Sequence, residues 1–229
     1  MNFFSAFPRG YIVNLEERKD RRSEIEKEFS RLGVVLEETH INFFKAVRPD
    51  DAAGFPNIGA RGCFLSHLNI LQDALNNKLS RVLIMEDDLA ISEKLIDYQD
   101  ELISTLENSD WDIIYFGHFL DFPNESQHLI PYTDGVRSTH FYAVNGKAIP
   151  LLVEFLEAIL QRAPGDPAGG PMHVDGAIST FRAQNPAITT LLVNPSVGGQ
   201  RSSKSDISPG ILDKLPIIRS IVKVLRKLK

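Results

Sequence analysis

The sequence predicts an α/β protein whose mostly parallel sheet is covered by helices on both faces. Short apolar runs, typical of buried strands, alternate along the chain with amphipathic stretches of helical spacing. Strands buried on both faces have nearly continuous apolar runs, as these do. Polar residues follow directly after several runs, at the strand ends where α/β sheets usually bind ligands. We therefore expect one ligand-binding domain.

Each element is predicted from its local pattern. Apolar runs bounded by glycine, proline or polar residues predict strands at residues 11–15, 42–47, 81–85, 111–116, 139–144 and 187–193. Apolar residues at helical spacing predict helices at residues 16–31, 62–77, 92 to about 106, 146–162 and 174–183. Gly33 is expected to end the first helix and Ser92 to cap the third. Loops are predicted at residues 49–59, 119–137, 163–171 and 197–208.

The composition excludes several classes of protein. The 229 residues are 43% hydrophobic and 24% charged, which is ordinary for a globular chain and unlike a disordered one. The one cysteine, Cys63, can form no disulfide within the chain. No apolar run approaches the roughly 20 residues of a membrane-spanning helix. The N-terminal residues, MNFFSAFPRG, lack the pattern of a signal peptide, so a cytoplasmic location is expected.

Charge is distributed unevenly along the chain, whose net charge is −5. Residues 211–229 contain six basic residues and one acid, so residues 1–210 hold 19 basic and 29 acidic residues, a net charge of −10. This acidic balance argues against a nucleic-acid-binding surface. Residues 216–228 place apolar and basic side chains on opposite halves of a helical wheel, which favours a helix lying on an anionic membrane surface. Docking of this helix on the acidic domain, or on another copy, is the alternative.

An acidic triplet, Glu86, Asp87 and Asp88, follows the apolar run Leu83-Ile84-Met85. Three acids at the end of a buried strand repel one another and resist loss of water. A divalent cation such as Mg²⁺ or Mn²⁺ would relieve this repulsion, and residues 86 and 88 share one side of an extended backbone. The alternative is that the acids face water or cap the next helix. From the triplet alone, both interpretations stay open.

Six short motifs, in order, resemble those of glycosyltransferase family 25. They are YIVNL with Arg18, Asp20 and Arg21; GCFLSH at 62–67; IMEDD at 84–88; THFY at 139–142; VD at 174–175; and Gln200 with SDI at 205–207. Two positions depart from the family pattern: Arg61 stands where a small or acidic residue is usual, and Phe141 where alanine is usual. These departures concern the choice of acceptor more than the class of reaction.

The resemblance implies a GT-A-type fold that comprises residues 1–210, followed by the basic helix of residues 211–229. It implies a metal-dependent, inverting transfer of galactose or glucose from a UDP-sugar to a saccharide acceptor of lipooligosaccharide or a related glycan. Eukaryotic members act on collagen in the secretory pathway, so the N-terminus described above favours the bacterial branch. The expected location is then cytoplasmic, peripheral on the inner face of the inner membrane.

The resemblance also implies roles for individual residues. Asp88 and Glu86 are expected to bind Mn²⁺ or Mg²⁺, in a DXD-like arrangement. The expected donor-binding residues are Asn14, Leu15, Arg18, Arg21, Glu86, Asp87, Gln200, Ser205 and Asp206. His67 and His140 are expected near the acceptor or in orienting roles, although a histidine on an apolar helix face is more often structural. Cys63 is interpreted as a packing residue.

An inverting transfer needs a carboxylate base besides the triplet. Asp175 is chosen because it opens a predicted helix, whose positive end would keep it ionised, although aspartate is also a favoured helix cap. Asp206 and Asp121 are the other candidates. Two further classes stay open: a non-catalytic, membrane-associated nucleotide-sugar-binding module and a Mg²⁺-dependent phosphotransfer or hydrolysis enzyme. The sequence contains neither a Walker motif nor G-x-G-x-x-G, which counts against the latter.

Overall fold

The computed structural model describes residues 2–122 and 128–201, which form two sheets and five α-helices. The strands are β1 (Gly10–Asn14), β2 (Ile41–Lys45), β3 (Arg81–Glu86), β4 (Leu89–Ile91), β5 (Ile113–Tyr115), β6 (Leu129–Pro131), β7 (Phe141–Asn145), β8 (Thr190–Val193) and β9 (Gly198–Gln200). The helices are α1 (Lys19–Arg31), α2 (Ile58–Asn76), α3 (Lys94–Asn108), α4 (Ile149–Leu160) and α5 (Val174–Gln184). Short 3-10 helices cover Phe3–Ala6 and Leu36–Glu38.

The main sheet has seven strands in the order β2-β1-β3-β7-β5-β8-β6. Strands β2, β1 and β3 are mutually parallel, and β5 is parallel to β8. Strand β7 lies antiparallel between β3 and β5, and β6 is antiparallel to β8 at the edge. Five of the seven strands therefore run in one direction, which confirms the predicted α/β class with a mostly parallel sheet.

Helices cover both faces of this sheet, as predicted. Alternate residues of β3 illustrate the division: Val82 and Ile84 join one apolar cluster, whereas Leu83 and Met85 join the other. The first cluster contains the apolar faces of α2, α4 and α5, and the second those of α1, α3 and the N-terminal 3-10 helix. Burial of an aliphatic or aromatic side chain contributes about 1.5–3 kcal/mol, so both layers stabilise the sheet.

A second sheet pairs β4 with β9 in antiparallel fashion. Residues 197–208 were predicted to be a loop, and β4 was not predicted. Helix α3 begins at Lys94, with Glu93 at the N-cap position. The Ser92 hydroxyl oxygen nevertheless accepts a hydrogen bond from the Lys94 N–H at 3.3 Å, in agreement with the expected capping role. The Ser92 N–H donates to the Val197 carbonyl at 2.9 Å, which extends the strand pairing and delays the start of the helix.

The topology places two strand ends side by side. Strands β1 and β3 are adjacent and parallel, with Val13 opposite Glu86 in their register. Asn14 and Asp87, the next residues of the two strands, therefore emerge together at the carboxyl edge of the sheet. The β4–β9 sheet brings Gln200 to the same edge, because Gln200 pairs with Leu89.

Candidate active site

A cleft of about 260 Å³ opens at this carboxyl edge. Its acidic end is formed by the triplet, and the segment after β2 and the first turns of α2 also line it. The lining residues are Val13, Leu15, Arg21, Ala46, Val47, Arg48, Pro49, Ile58, Gly59, Gly62, Cys63, Ser66, Glu86, Asp87, Asp88 and Gln200. The structure thus brings together Leu15, Arg21, Gln200 and the whole triplet from the predicted set.

Within the triplet, the negative charge of Asp87 is balanced by hydrogen bonds from two neighbouring side chains. One carboxylate oxygen accepts a hydrogen bond from Asn14 Nδ2 at 2.7 Å, and the other accepts from Arg21 Nη1 at 2.8 Å. The Arg21 and Asp87 side chains are only 11% and 8% exposed, so this ion pair is buried. Asn14 and Arg21 therefore hold Asp87 in place. If either residue also contacts the nucleotide-sugar, as predicted, it must do so while keeping its hydrogen bond to Asp87.

Glu86 and Asp88 point to a common position instead. The Gln200 Nε2 atom lies 3.5 Å from Glu86 Oε2 and 3.5 Å from Asp88 Oδ1, so both carboxylates face the same amide group. Burial raises the pKa of Glu86 to about 8, with a further contribution from the charge of Asp88. Burial also raises the pKa of Asp88, although Arg21 opposes that change from 3.6 Å. The two groups form a pair of converging oxygen donors whose negative charge is incompletely balanced.

His67 lies behind Glu86, on the buried face of α2. Its Nδ1 atom is 3.0 Å from the Tyr142 hydroxyl, and its ring stacks on Tyr142. Its Nε2 atom lies 3.9 Å from Glu86 Oε1 and has no hydrogen-bond partner among the residues that the structure describes. Burial lowers the pKa of His67 to about 4, so the ring is neutral at pH 7. Full burial favours the orienting role over acceptor contact for this residue.

Cys63 occupies the same face of α2, one turn before His67. The sequence suggested a packing role for Cys63. In the structure this residue also lines the cleft and is partly exposed. Burial raises the pKa of its thiol well above 9.0, and the charges of Glu86 and Asp175 raise it further. A thiol held in its protonated form is a poor nucleophile, in agreement with the sequence analysis.

Asp175 is the second residue of α5 and lies outside the residues that line the cleft. One of its carboxylate oxygens accepts a hydrogen bond from the Gly176 N–H at 2.7 Å. Its charge nevertheless contributes to the raised pKa values of Glu86 and Cys63, which places it near the acidic end. The alternative Asp121 is exposed on the loop after β5.

His140 and Arg18 were predicted to be site residues, but neither lines the cleft. His140 is fully buried, and its ring nitrogens lie 2.9 Å from Ser138 Oγ and 3.1 Å from the Gly198 carbonyl. This geometry favours an orienting role that fixes β9, and burial lowers the pKa of His140 to about 4. Arg18 pairs with Asp20 at 2.9 Å and is not among the lining residues.

Three predictions fall outside the described residues. Ser205 and Asp206 belong to the predicted donor-binding loop, and residues 211–229 form the predicted basic helix. Within residues 2–122 and 128–201, no helix combines the length and the apolar composition needed to cross a membrane.

The sequence analysis missed three residues that shape the site. Thr139 donates its hydroxyl hydrogen to Glu86 Oε1 at 3.0 Å. Arg201 donates to the main-chain carbonyls of Asp87 and Leu89 at 2.6 and 2.8 Å. Arg48 lines the cleft and forms an ion pair with Glu17. Thr139 lies inside a quoted motif and Arg201 directly follows Gln200, so sequence position offered a signal for these two.

The sequence of this chain is similar to that of a known protein family. The model of glycosyltransferase family 25, described as LPS biosynthesis protein, matches residues 57–161. That range contains three of the six quoted motifs, and the match confirms the resemblance to this family.

Curated relatives extend the similarity beyond that range. Procollagen galactosyltransferase 2 of Mus musculus is 24% identical over 200 residues, covering 79% of this chain and 31% of the relative. Lipooligosaccharide biosynthesis protein lic2B of Haemophilus influenzae is 27% identical over 140 residues, covering 54% of this chain and 51% of the relative. The chain thus spans about half, or less, of the length of these relatives.

One solved structure that resembles this chain is a glycosyltransferase involved in the glycosylation of the major capsid of PBCV-1. The TM-score is 0.45 at 13% identity, and the alignment covers 82% of this chain and 83% of that one.

Proposed function

We propose that this chain is an inverting glycosyltransferase that transfers galactose or glucose from a UDP-sugar to a saccharide acceptor of lipooligosaccharide or a related glycan. The observation that carries the proposal is the convergence of the Glu86 and Asp88 carboxylates at the acidic end of the cleft, both 3.5 Å from Gln200 Nε2. The family match and the glycosyltransferase names of the curated relatives support the reaction class.

The donor set fits a hard divalent cation. Glu86 and Asp88 supply converging oxygen ligands, and their raised pKa values reflect negative charge that the surrounding protein does not balance. We assign Mn²⁺ or Mg²⁺ to Asp88, with Glu86 assisting. When bound, such a cation would offset the charge that develops on the leaving nucleoside diphosphate.

The remaining lining residues suggest how the donor is held. Val13, Ala46 and Val47 offer an apolar surface for the nucleoside. Arg21 and Arg48 contribute positive charge beside the place assigned to the diphosphate. Gln200, the last residue of β9, lies beside the two carboxylates and is assigned to donor binding.

Asp175 is assigned the role of general base. Its carboxylate would accept the proton of the acceptor hydroxyl as that oxygen bonds to the anomeric carbon and the bond from this carbon to the diphosphate breaks. Attack from the side opposite the leaving group inverts the anomeric configuration. Burial is the main cause of the raised pKa of Glu86, and the charge of Asp175 makes the smallest contribution to it, which supports a position of Asp175 in the neighbourhood of the acidic end.

The test is release of UDP from UDP-galactose or UDP-glucose in the presence of Mn²⁺ and a saccharide acceptor. Asp175→Asn is expected to lower turnover by about two to four decades, the usual effect of losing a general base, with UDP affinity almost unchanged. Asp88→Asn is expected to abolish metal-dependent turnover. Asp97→Asn, at an exposed aspartate of α3, is the matched control.

Each alternative class gives a different result. UDP release that is independent of acceptor would indicate a hydrolase, and UDP-sugar binding without turnover would indicate a binding module. Normal turnover in Asp175→Asn would show that another residue is the base. Full, EDTA-resistant turnover in Asp88→Asn would contradict the cation assignment.

Membrane association is a further part of the proposal. The amphipathic pattern of residues 216–228 supports binding to an anionic leaflet, where a glycolipid acceptor would lie. Deleting residues 211–229 is expected to abolish flotation with phosphatidylglycerol vesicles. Unchanged flotation would favour the alternative that this segment docks on protein.

A further inference from the structure

Three potential metal ligands of mixed chemistry meet in the wall of the cleft. The Cys63 thiol, the His67 imidazole and the Glu86 carboxylate each offer one ligand atom, and these atoms all lie within 4.8 Å of one another. Cys63 and His67 are four residues apart on α2 and so share one face of the helix. Glu86 reaches them from the end of β3, which packs beside α2.

His67 gives the independent reason to regard this cluster as a site. A fully buried ring nitrogen normally has a hydrogen-bond partner, because an unsatisfied polar atom costs about 1–3 kcal/mol. His67 is 0% exposed, yet its Nε2 atom has no such partner among the described residues and is directed toward Glu86. The other ring nitrogen contacts the Tyr142 hydroxyl at 3.0 Å. When Nδ1–H donates to that hydroxyl, Nε2 carries a free lone pair, as in metal-ligating histidines.

We propose that Cys63 Sγ, His67 Nε2 and a Glu86 carboxylate oxygen bind one zinc ion. Thiolate sulfur and imidazole nitrogen favour Zn²⁺ over Mg²⁺ or Mn²⁺, so this ion is distinct from the hard cation assigned to Asp88, although Glu86 serves both sites. On binding, the Cys63 S–H bond breaks, the sulfur bonds to zinc, and the proton passes to water. Cys63 and Glu86 also line the cleft, so the proposed ion could enter from it.

The distances require only a small adjustment. Zinc lies about 2.0–2.3 Å from nitrogen, oxygen and sulfur ligands, so ligand atoms in a tetrahedral site are about 3.3–3.8 Å apart. His67 Nε2 and Glu86 Oε1 are already 3.9 Å apart. Rotation of the Cys63 and Glu86 side chains would shorten the remaining distances between ligand atoms, which are at most 4.8 Å. The contact with Tyr142 fixes the imidazole of His67.

Cobalt(II) substitution tests the proposal directly. The chain has one cysteine, so a thiolate-to-cobalt charge-transfer band in the near ultraviolet can arise only from Cys63. We expect purified, metal-free protein to show this band with one equivalent of Co²⁺, and Zn²⁺ to abolish it by displacement. Zn²⁺ should also protect Cys63 from alkylation. Absence of both effects in the unaltered chain would overturn the proposal without any variant.

Variants then assign the other ligands. His67→Gln is expected to weaken Zn²⁺ binding at least about tenfold, measured by competition with a chromophoric chelator, whereas His40→Gln, at an exposed histidine, should leave it unchanged. Asp88→Asn should retain the cobalt band, because it leaves all three proposed ligands in place. An unchanged affinity in His67→Gln, or loss of the band in Asp88→Asn, would contradict the assigned ligand set. These readouts do not depend on transferase activity.

Discussion

Replacing Glu86 by glutamine is expected to stabilise the metal-free protein near pH 8, although it removes a carboxylate from the candidate site. Burial and the charge of Asp88 raise the pKa of Glu86 from its ordinary value of 4.5 to about 8. As pH rises, the unfolded chain therefore loses this proton first, while the folded chain still holds it. Unfolding becomes more favourable across the interval from about 4.5 to about 8, and the stability contributed by this proton is lost.

The size of the effect follows from that interval. Each pKa unit corresponds to about 1.4 kcal/mol, so the carboxyl group destabilises the fold by up to about 5 kcal/mol above pH 8. The glutamine amide would place donor hydrogens near the amide of Gln200, an arrangement that costs about 1–3 kcal/mol. The net gain is then about 2–4 kcal/mol, equivalent to a rise of roughly 5–10 °C in the unfolding temperature.

The measurement is thermal and urea unfolding in EDTA at pH 5 and pH 8. Glu86→Gln should be more stable than the unaltered chain at pH 8 but equally or less stable at pH 5, where the cost of the amide is no longer offset. Glu107→Gln, at an exposed glutamate of α3, should match the unaltered chain at both pH values. With Mn²⁺ present, the unaltered chain should gain stability and Glu86→Gln less so, if the proposed cation site is right. A lower unfolding temperature for Glu86→Gln at pH 8 would refute the argument that burial of the ionised Glu86 carboxylate destabilises the fold.

Three further predictions concern buried groups around the same edge. Arg21→Gln should lower the free energy of unfolding by about 3–5 kcal/mol in urea denaturation, because it leaves the buried Asp87 carboxylate without its cation. His67 and His140, whose pKa values burial lowers to about 4, should each lower stability by up to about 3 kcal/mol as pH falls from about 6.5 to 4. Because Glu86 acts in the opposite direction over this interval, urea titrations of Glu86→Gln at pH 7 and pH 4 measure the histidine contribution. Gly62→Ala should cost about 1–3 kcal/mol, since its added methyl group would meet a main-chain carbonyl oxygen at 2.6 Å, and a shift in the urea midpoint would show it.

Local sequence patterns were sufficient to predict the main sheet strands that end at the site. The apolar runs of β1 and β3 are continuous. Glu86 and Asp88 converge as predicted, but the predicted reason was wrong, because residues 87 and 88 form a turn after β3 and do not continue its extended backbone. The short strands were missed for a physical reason. Strand β9 is Gly198-Gly199-Gln200, which has no apolar pattern, and it exists because its main chain pairs with β4.

Local sequence pattern did not predict that Asp87 would be paired with Asn14 and Arg21 while Glu86 and Asp88 face Gln200. Asn14 and Arg21 were expected to contact the donor, whereas the structure shows both bonded to Asp87. That contact depends on β1 lying directly beside β3, with β2 on its outer side. Sequence spacing of about seventy residues carries no sign of this adjacency, since strand order is set by packing of the whole sheet.

The contrast between Asp87 and its two neighbours bears on why the triplet is built this way. Asp87 receives an amide and a guanidinium within 2.8 Å, so its buried charge is balanced. Glu86 receives one hydrogen bond from Thr139, Asp88 lies 3.6 Å from Arg21, and the two share the Gln200 amide at 3.5 Å. These contacts do not offset burial, because the pKa values of both groups are raised. A sequence selected for stability alone would pair or neutralise these two groups, since destabilising arrangements concentrate where function requires them. The imbalance is what a bound cation would remove, so folding stability and cation binding should be linked through Glu86 and Asp88 and not through Asp87.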